Sequence, residues 1–210
     1  LQEYEESKKK REKEMTRRAR EAAVRAAEIW AEAVEVPKEE SLDYLKKKRV
    51  SPLGIRMVSK EFFFESVEGK KFPIKKGTLV VPLWSFEKKI VSLQFICADG
   101  SKFFLPWGRA ARGWFSFIGD LKHATSLVIC EGWATGSTIH LLTGLPVVCA
   151  MNAGGLAKVA TGMRKGYPDR EIILAADNDH KTEGNPGVTK ASDAAKRVSG
   201  LLVVPEFTPE

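Results

Sequence analysis

The sequence has few cysteines and no long hydrophobic run, and both absences narrow what the chain can be. Its three cysteines, Cys97, Cys130 and Cys149, are odd in number, lie among apolar residues and show no C-x-x-C spacing. This pattern is typical of small core residues in a reducing compartment, not of a disulfide framework or a zinc site. No apolar run approaches the roughly 20 residues that span a membrane, and no signal peptide is visible. We therefore expect a cytoplasmic protein with no membrane partner.

Several motifs that would assign an enzyme class directly are also missing. The sequence has no Walker A loop, no G-x-S-x-G nucleophile motif and no H-x-x-x-H pair of histidines. ATPase and hydrolase functions therefore lack the residues on which their chemistry depends.

The charge distribution is the first feature that indicates a function, because the formal net charge of +7 is unevenly distributed. Residues 46–112 carry 15 Lys or Arg against 5 Asp or Glu, a net of +10, whereas residues 1–45 and 120–210 have net charges of −2 and −1. A basic segment beside an acidic one suits a protein that polymerises nucleotides on a nucleic-acid strand. The alternative is that many of these lysines only solvate a surface.

The first part of the chain is predicted to be helical. Residues 3–35 are rich in Ala, Glu, Lys and Arg, and apolar residues recur at three- and four-residue spacing from about Thr16. One narrow face of this helix is therefore expected to pack, and Pro37 ends the helix. A second, short helix is predicted at residues 41–50, with Ser41 as its N-cap.

Between residues 62 and 117 the pattern changes to short β-branched and aromatic runs, which indicate a small mixed β subdomain. Asp99-Gly100 between two of these runs is a good hairpin turn. The predicted strands are 62–64, 78–83, 90–97 and 102–105.

Basic and aromatic residues alternate in the last part of this segment. Lys102, Arg109 and Arg112 lie among phenylalanines and tryptophans. Cations neutralise phosphates and aromatic faces stack on bases, so this mixture suits a single-stranded template or an NTP. The alternative is that the rings form the core, and it is favoured for three of them: Phe103, Phe104 and Phe117.

Residues 121–205 alternate between strand and helix patterns, which predicts a parallel sheet with right-handed crossovers. Gly144, Gly166 and Gly200 follow the predicted helices, where a left-handed cap residue is expected. The predicted strands are 127–130, 146–150, 172–176 and 201–204, and the predicted helices are about 135–142, 156–164 and 188–198.

Acidic residues follow two of these strands immediately. Glu131-Gly132 ends the run LVIC, and Asp177-x-Asp179 ends the run IILAA. The carboxyl ends of parallel strands meet at one edge of a sheet, where open α/β sheets bind their ligands. If the extended geometry persists, Asp177 and Asp179 face the same way. Clustered carboxylates repel one another, and a hard divalent cation with oxygen ligands relieves that repulsion.

Glu-Gly after one strand and Asp-x-Asp after a later one resembles the pattern of the Toprim family, which includes DnaG-type primases, topoisomerases and some nucleases. The wider text, LVICEGWATGSTIHLLTGLPVVCAMNAGGL followed by AADND and Asn185-Pro186-Gly187, resembles the primases of conjugative plasmids and the primase part of phage primase-helicases. The resemblance covers roughly residues 41–204. It implies an α/β fold: a Toprim, Rossmann-like parallel sheet with a basic mixed α+β N-terminal subdomain and a long N-terminal helix.

The same resemblance implies a DNA primase catalytic core, which makes short RNA primers on single-stranded DNA by metal-dependent nucleotidyl transfer. Glu131, Asp177 and Asp179 are the implied catalytic and metal-binding residues, with Mg²⁺ or Mn²⁺ as cofactor and NTPs as substrates. Glu131 is either a metal ligand or a general base. A replicative helicase, or a helicase domain of the same polypeptide, is the implied partner.

Further residues are assigned by matching the family text. KFFLPWGRAARGWFSFIG resembles the P-K-Y-L-N…H-K-G-R segment of DnaG-type enzymes, in which basic residues face template and nucleotide. Lys102 matches its first lysine, and Arg109 or Arg112 matches the later basic pair. Asn152 precedes a predicted helix whose N–H groups suit a phosphate, and Lys158 lies one turn further on. For this segment an ordinary strand-to-helix turn is the equal alternative.

The sequence also departs from the family in one respect. An aspartate follows Glu-Gly closely in topoisomerases and DnaG-type enzymes, whereas this chain has Trp133-Ala134-Thr135-Gly136. None of its three tyrosines lies in the context of a catalytic tyrosine, so DNA strand passage is not expected.

We expect three parts: a connector helix (1–36), a basic β-rich primase subdomain (37–119) and a Toprim subdomain (120–210). The chain begins at Leu1, not Met, so we expect a fragment of a longer protein.

Two other functions stay open. One is a Toprim metal-dependent nuclease, against which the long basic segment argues. The other is a catalytically silent module that binds single-stranded nucleic acid or acts in replication initiation, against which the three acidic residues argue.

Overall fold

The structure, a computed structural model, describes residues 2–37, 42–65, 69–108 and 113–206. These residues form two compact units that alternate along the chain. The first unit comprises the described parts of 1–44, 55–84 and 88–109, and the second comprises those of 45–54, 85–87 and 110–210. The predicted limits of three domains, 1–36, 37–119 and 120–210, stay predictions. In the part of the chain described here, no helix is long and apolar enough to cross a membrane.

The first unit begins with the predicted long helix, α1 (Gln2–Glu32). Its early turns are exposed, whereas Ala22, Ala26 and Ile29 are buried against the core, so the predicted apolar face is confirmed. The helix ends three residues before the predicted position because Val34 forms a two-way backbone bridge with Met57.

A short second helix, α2 (Asp43–Lys48), lies within the predicted range. Its proposed cap, Ser41, lies outside the described residues. The strands of the first unit are β1 (Arg56–Met57), β2 (Phe62–Glu65), β3 (Lys71–Ile74), β4 (Leu79–Trp84), β5 (Ile90–Ile96) and β6 (Lys102–Phe104).

These strands form an antiparallel sheet in the order β1-β4-β5-β6 and a separate β2-β3 hairpin. The four predicted strands are confirmed, and β1 and β3 are additional. The turn at Asp99-Gly100 is also confirmed, since Gly100 has φ +87° and donates its N–H to the Cys97 carbonyl. Phe103 stacks on the buried Phe95 at 5.3 Å between ring centroids, so it packs against the core as predicted.

The second unit is a five-stranded sheet flanked by helices, and it confirms the predicted α/β fold class. The strand order is β11-β10-β8-β9-β7, with every neighbouring pair parallel except β7–β9. Its strands are β7 (Ser116–Ile118), β8 (Ser126–Cys130), β9 (Val147–Cys149), β10 (Glu171–Ala175) and β11 (Leu201–Val203). Its helices are α3 (Trp133–Thr143), α4 (Leu156–Gly166) and α5 (Pro186–Val198), with a short 3₁₀ helix at Ala153–Gly155.

The strand and helix predictions for this unit are confirmed, but β7 was missed and two of the glycine caps are wrong. Gly144 is left-handed after α3, as predicted, with φ +69°. After α4 the cap is Tyr167 in another conformation, and after α5 it is Ser199 that is left-handed. Gly200 instead permits a close approach, because a Cβ there would lie 2.6 Å from the Ile172 carbonyl oxygen.

Candidate active site

Glu131 follows the last residue of β8 directly, and the chain then enters α3 after a single residue, Gly132. The backbone of Glu131 is held across the sheet, because its carbonyl accepts the Met151 N–H at 2.7 Å. Its side chain is half-buried. The buried sheet therefore fixes the backbone from which this carboxylate projects.

Asp177 lies at the end of the neighbouring strand. In the parallel β8–β10 register Leu174 is opposite Ile129, so the two strands end at the same edge of the sheet, β8 at Cys130 and β10 at Ala175. Both acids act on Cys130. The pKa of this buried thiol is raised well above its ordinary value, first by its hydrogen bond to Cys149 and by burial, and then by negative charges that include Asp177 and Glu131. The two carboxylates thus share one edge of the sheet.

Asp179 is placed differently from Asp177. Strand β10 ends at Ala175, so extended strand geometry does not continue through the Asp-x-Asp segment. The Oδ2 atom of Asp179 accepts the N–H of Gly187, in the first turn of α5, at 3.2 Å. The physical reason is that helix N-termini carry backbone N–H groups with no partner within the helix, and these attract a carboxylate.

The three acids predicted to bind metal are not equivalent: Glu131 and Asp177 follow neighbouring strands, whereas the carboxylate of Asp179 faces the start of α5. Among residues 2–37, 42–65, 69–108 and 113–206, no three His, Cys, Asp or Glu side chains are grouped to hold a metal ion. Mg²⁺, however, is usually bound by one or two carboxylates, with waters and substrate phosphates completing its shell. Glu131 and Asp177, at neighbouring strand ends, fit that donor set.

Asn152 lies at the same edge, beyond the next strand. It follows β9 and begins the 3₁₀ turn that leads into α4, where the Gly155 N–H bonds to the Asn152 carbonyl at 3.0 Å. Lys158 is exposed in the first turn of α4, and its Cβ would be 3.1 Å from a Cβ placed on Gly113. Both residues therefore belong to the unit that carries the acids.

The predicted basic residues that would bind template are only partly described. Lys102 is exposed at the start of β6, with its Nζ 5.5 Å from the ring centre of Tyr44. Arg109 and Arg112 lie outside the described residues. Another cation–aromatic contact in the first unit, not predicted from the sequence, places the Arg18 guanidinium 4.1 Å from the Trp107 ring.

The structure adds residues that the sequence did not single out. Trp133 is 2% exposed, and its indole N–H donates to the Leu53 carbonyl at 2.8 Å. The Ser137 hydroxyl, one turn later, donates to the Ser51 carbonyl at 2.9 Å. Asn185 caps α5 and also bonds to the Asp-x-Asp segment. Only Asn185 had a local signal, namely an N-cap residue type followed by Pro at the first helical position.

Comparison with known proteins agrees with this geometry. Residues 126–207 match the family model described as a Toprim domain. The matched segment includes strands β8, β9, β10 and β11 and the acids that follow β8 and β10.

The more particular resemblance is to primases. Two Escherichia coli proteins, both named DNA primase TraC, are 37% identical over 136 residues and 32% identical over 181 residues. These alignments cover 61% and 83% of this chain but only 13% and 12% of the relatives, so the chain spans about an eighth of their length.

Solved primase structures share the fold at low sequence identity. The RNA polymerase domain of Mycobacterium tuberculosis primase DnaG has a TM-score of 0.58 at 15% identity, over 91% of this chain and 76% of that one. The primase fragment of the bacteriophage T7 primase-helicase protein has a TM-score of 0.52 at 16% identity, over 82% and 69%. The predicted fold, a Toprim sheet with an N-terminal mixed subdomain, is that of primase catalytic cores.

Proposed function

We propose that this chain is the catalytic part of a DNA primase, which joins NTPs into short RNA primers on a single-stranded DNA template. The observation that carries the proposal is the β8–β10 register, which puts Glu131 and Asp177 at neighbouring strand ends of a Toprim sheet. The two relatives named DNA primase TraC support the same reaction.

The acids have distinct parts in this proposal. Glu131 and Asp177 bind a divalent cation, Mg²⁺ or Mn²⁺, with Asp179 completing the acidic set. Such an ion neutralises charge that develops on the attacking and leaving oxygens in phosphoryl transfer. The alternative role for Glu131 is that of a general base, which accepts the proton of the attacking hydroxyl in place of binding the ion.

Nucleotide and template require cationic and polar groups. Asn152 and Lys158, on the turn and helix after β9, contact the triphosphate, since N–H groups at a helix start and a nearby lysine favour anions. Lys102, with Arg109 and Arg112, contacts the template backbone. A helicase, separate or in the same polypeptide, is the proposed partner, because the T7 neighbour is a primase-helicase protein.

The test is primer synthesis on single-stranded DNA with labelled NTPs and Mg²⁺ or Mn²⁺. Glu131→Gln and Asp177→Asn should each remove the product, because each neutralises a carboxylate at the reactive edge. Glu171→Gln is the matched control, since Glu171 is an exposed acid at the opposite end of β10 and its loss should leave synthesis unchanged.

Two results would reject the proposal in favour of its alternatives. Shortened template in place of primers would indicate a metal-dependent nuclease. DNA binding with no product would indicate a binding module without catalysis.

A further inference from the structure

Asn185 connects the Asp-x-Asp segment to α5 through hydrogen bonds on both sides of its amide. Its Oδ1 atom accepts the backbone N–H of Asp179 at 3.0 Å and that of Val188, inside α5, at 3.5 Å. Its Nδ2 atom donates to Oδ1 of Asn178, the residue between the two aspartates, at 2.8 Å. One side chain thus binds both residues that follow Asp177 and the first turn of the helix.

The segment held in this way is fixed at further points. Asn178 donates from its own amide to the Pro205 carbonyl, just after β11, at 2.9 Å. The carboxylate of Asp179 meets the Gly187 N–H. Gly187 is needed for this approach, because a Cβ there would lie 2.2 Å from the Asp177 carbonyl oxygen. The loop from His180 to Gly184 is exposed, so these contacts, not burial, set the path of the segment.

Asparagine suits position 185 in three respects: its backbone conformation, its acceptor oxygen and its amide donor. The backbone of Asn185 is left-handed, with φ 40° and ψ 68°, a conformation that Asn, Asp and Gly tolerate better than other residues. The position also needs an oxygen that accepts two N–H groups and a donor for Asn178. Asp keeps the backbone and the acceptor, whereas Gly keeps only the backbone.

From this geometry we infer that Asn185 is a positioning residue, which holds the Asp177–Asp179 segment in place for a divalent cation. The inference rests on the proposed function only in taking these acids as cation ligands. Asn185 touches no reacting group, and it acts through the backbone of Asp179 and the side chain of Asn178. Residues in this supporting role typically change metal affinity about 10- to 100-fold when they are removed.

The experiment is a Mn²⁺ titration of the full chain, followed by the EPR signal of the free ion, with and without an NTP and in the absence of DNA. Asn185→Gly removes the hydrogen bonds without straining the backbone, and it should raise the Mn²⁺ dissociation constant about 10- to 100-fold. Asn185→Asp keeps the acceptor oxygen but loses the donor to Asn178, so it should weaken Mn²⁺ binding less than Asn185→Gly does. Urea unfolding of each variant verifies that it remains folded.

The matched control is Thr189→Val, which removes a hydrogen bond between the same helix and the same loop, to the Gly184 carbonyl at 2.9 Å. This bond does not touch the Asp-x-Asp segment, so Mn²⁺ binding should be unchanged. Equal weakening by Thr189→Val and Asn185→Gly would overturn the inference, because general loop order would then explain both results. Unchanged binding in Asn185→Gly, or no Mn²⁺ binding by the wild type in either condition, would overturn it as well.

The readout separates this inference from the proposed function. Mn²⁺ binding without DNA does not require primer synthesis. A wild-type chain that binds Mn²⁺, responds to Asn185→Gly and makes no primers would therefore reject the primase proposal and retain the positioning role.

Discussion

The two strand ends that carry the acidic residues are supported in different ways. After β8 the chain passes from Glu131 into α3 through one glycine, and that helix is fixed by packing and by Trp133 and Ser137. After β10 ten residues separate the strand from α5, and hydrogen bonds centred on Asn185 hold the segment.

The β8 junction is thus held mainly by buried packing, whereas the β10 junction is held mainly by polar contacts. The β8 junction lies over buried residues, so a change there is expected to act mainly on the free energy of unfolding. Most of the β10 junction is exposed, and its polar contacts contribute less to global stability, so the loss of one of these contacts is expected to act mainly on cation binding and activity. Each junction has one glycine that a helix needs for its close approach, which allows a direct comparison.

The largest effect is expected from Gly187→Ala. The new Cβ would meet the Asp177 carbonyl oxygen, a backbone atom that cannot rotate away, and also Oδ2 of Asp179 at 2.9 Å. Primer synthesis should be lost, and the free energy of unfolding should fall toward the upper end of the about 1–3 kcal/mol that overpacking costs. Primer assays and urea unfolding measure the two quantities. Wild-type activity in this variant would show that the close approach is not required.

Gly136→Ala tests the β8 junction and should have a smaller effect. Its Cβ would lie 2.5 Å from Sγ of Cys149, a side-chain atom, and alanine is favoured over glycine in a helix by about 1 kcal/mol. We expect a net destabilisation of about 1–2 kcal/mol. In a Cys149→Ala background that cost should fall by at least half, because the sulfur is gone. Equal costs in both backgrounds would contradict the assigned contact.

Trp133→Phe should cost about 1 kcal/mol, because the part-buried Leu53 carbonyl loses its donor while most of the ring volume remains. Trp133 lies two residues after Glu131. If packing holds this junction, the remaining ring volume should keep Glu131 in place, and the Mg²⁺ concentration for half-maximal synthesis should change little. Urea unfolding and a Mg²⁺ titration measure the two effects. A large shift in the Mg²⁺ requirement without loss of stability would remove the distinction between the two junctions.

The smallest effect concerns pH. The folded-state pKa of Cys130 lies above the ordinary value of 9.0. The stabilisation that comes from this raised pKa is therefore complete below pH 9. It is lost as the pH rises from 9 toward the folded-state pKa, because the unfolded chain releases the proton first. The decline in unfolding free energy above pH 9 should be shallower in Cys130→Ala, and Cys97→Ala, which changes a half-exposed thiol, should retain it. Identical slopes in all three proteins would contradict the assignment.

Local patterns in the sequence predicted most of the sheet and the positions of its acids. Strands such as β8 and β10 consist mostly of apolar residues. Glu131 follows β8 directly and Asp177 follows β10 after one residue, so the topology of a parallel sheet brings the two acids to one edge. Strand β7 was missed because it has only three residues and pairs with β9, about 30 residues later.

Contacts over long sequence separation were equally hidden. The bond from Trp133 to Leu53 joins residues 80 positions apart, and no periodicity in either segment indicates the other. The direction of the Asp179 carboxylate was also unpredictable, because it depends on where α5 begins and on the left-handed backbone of Asn185.

The alternation of the two units along the chain has a consequence for how the Toprim segment can be handled as a genetic module. The family match begins at residue 126, yet the Ser51–Gly54 segment and Phe86 belong to the same compact unit. A gene fragment that starts at residue 120 would encode Trp133 and Ser137 without their acceptors, the carbonyls of Leu53 and Ser51. Recombination that transfers only the matched segment would therefore separate it from residues 45–54 and 85–87, which belong to the same compact unit.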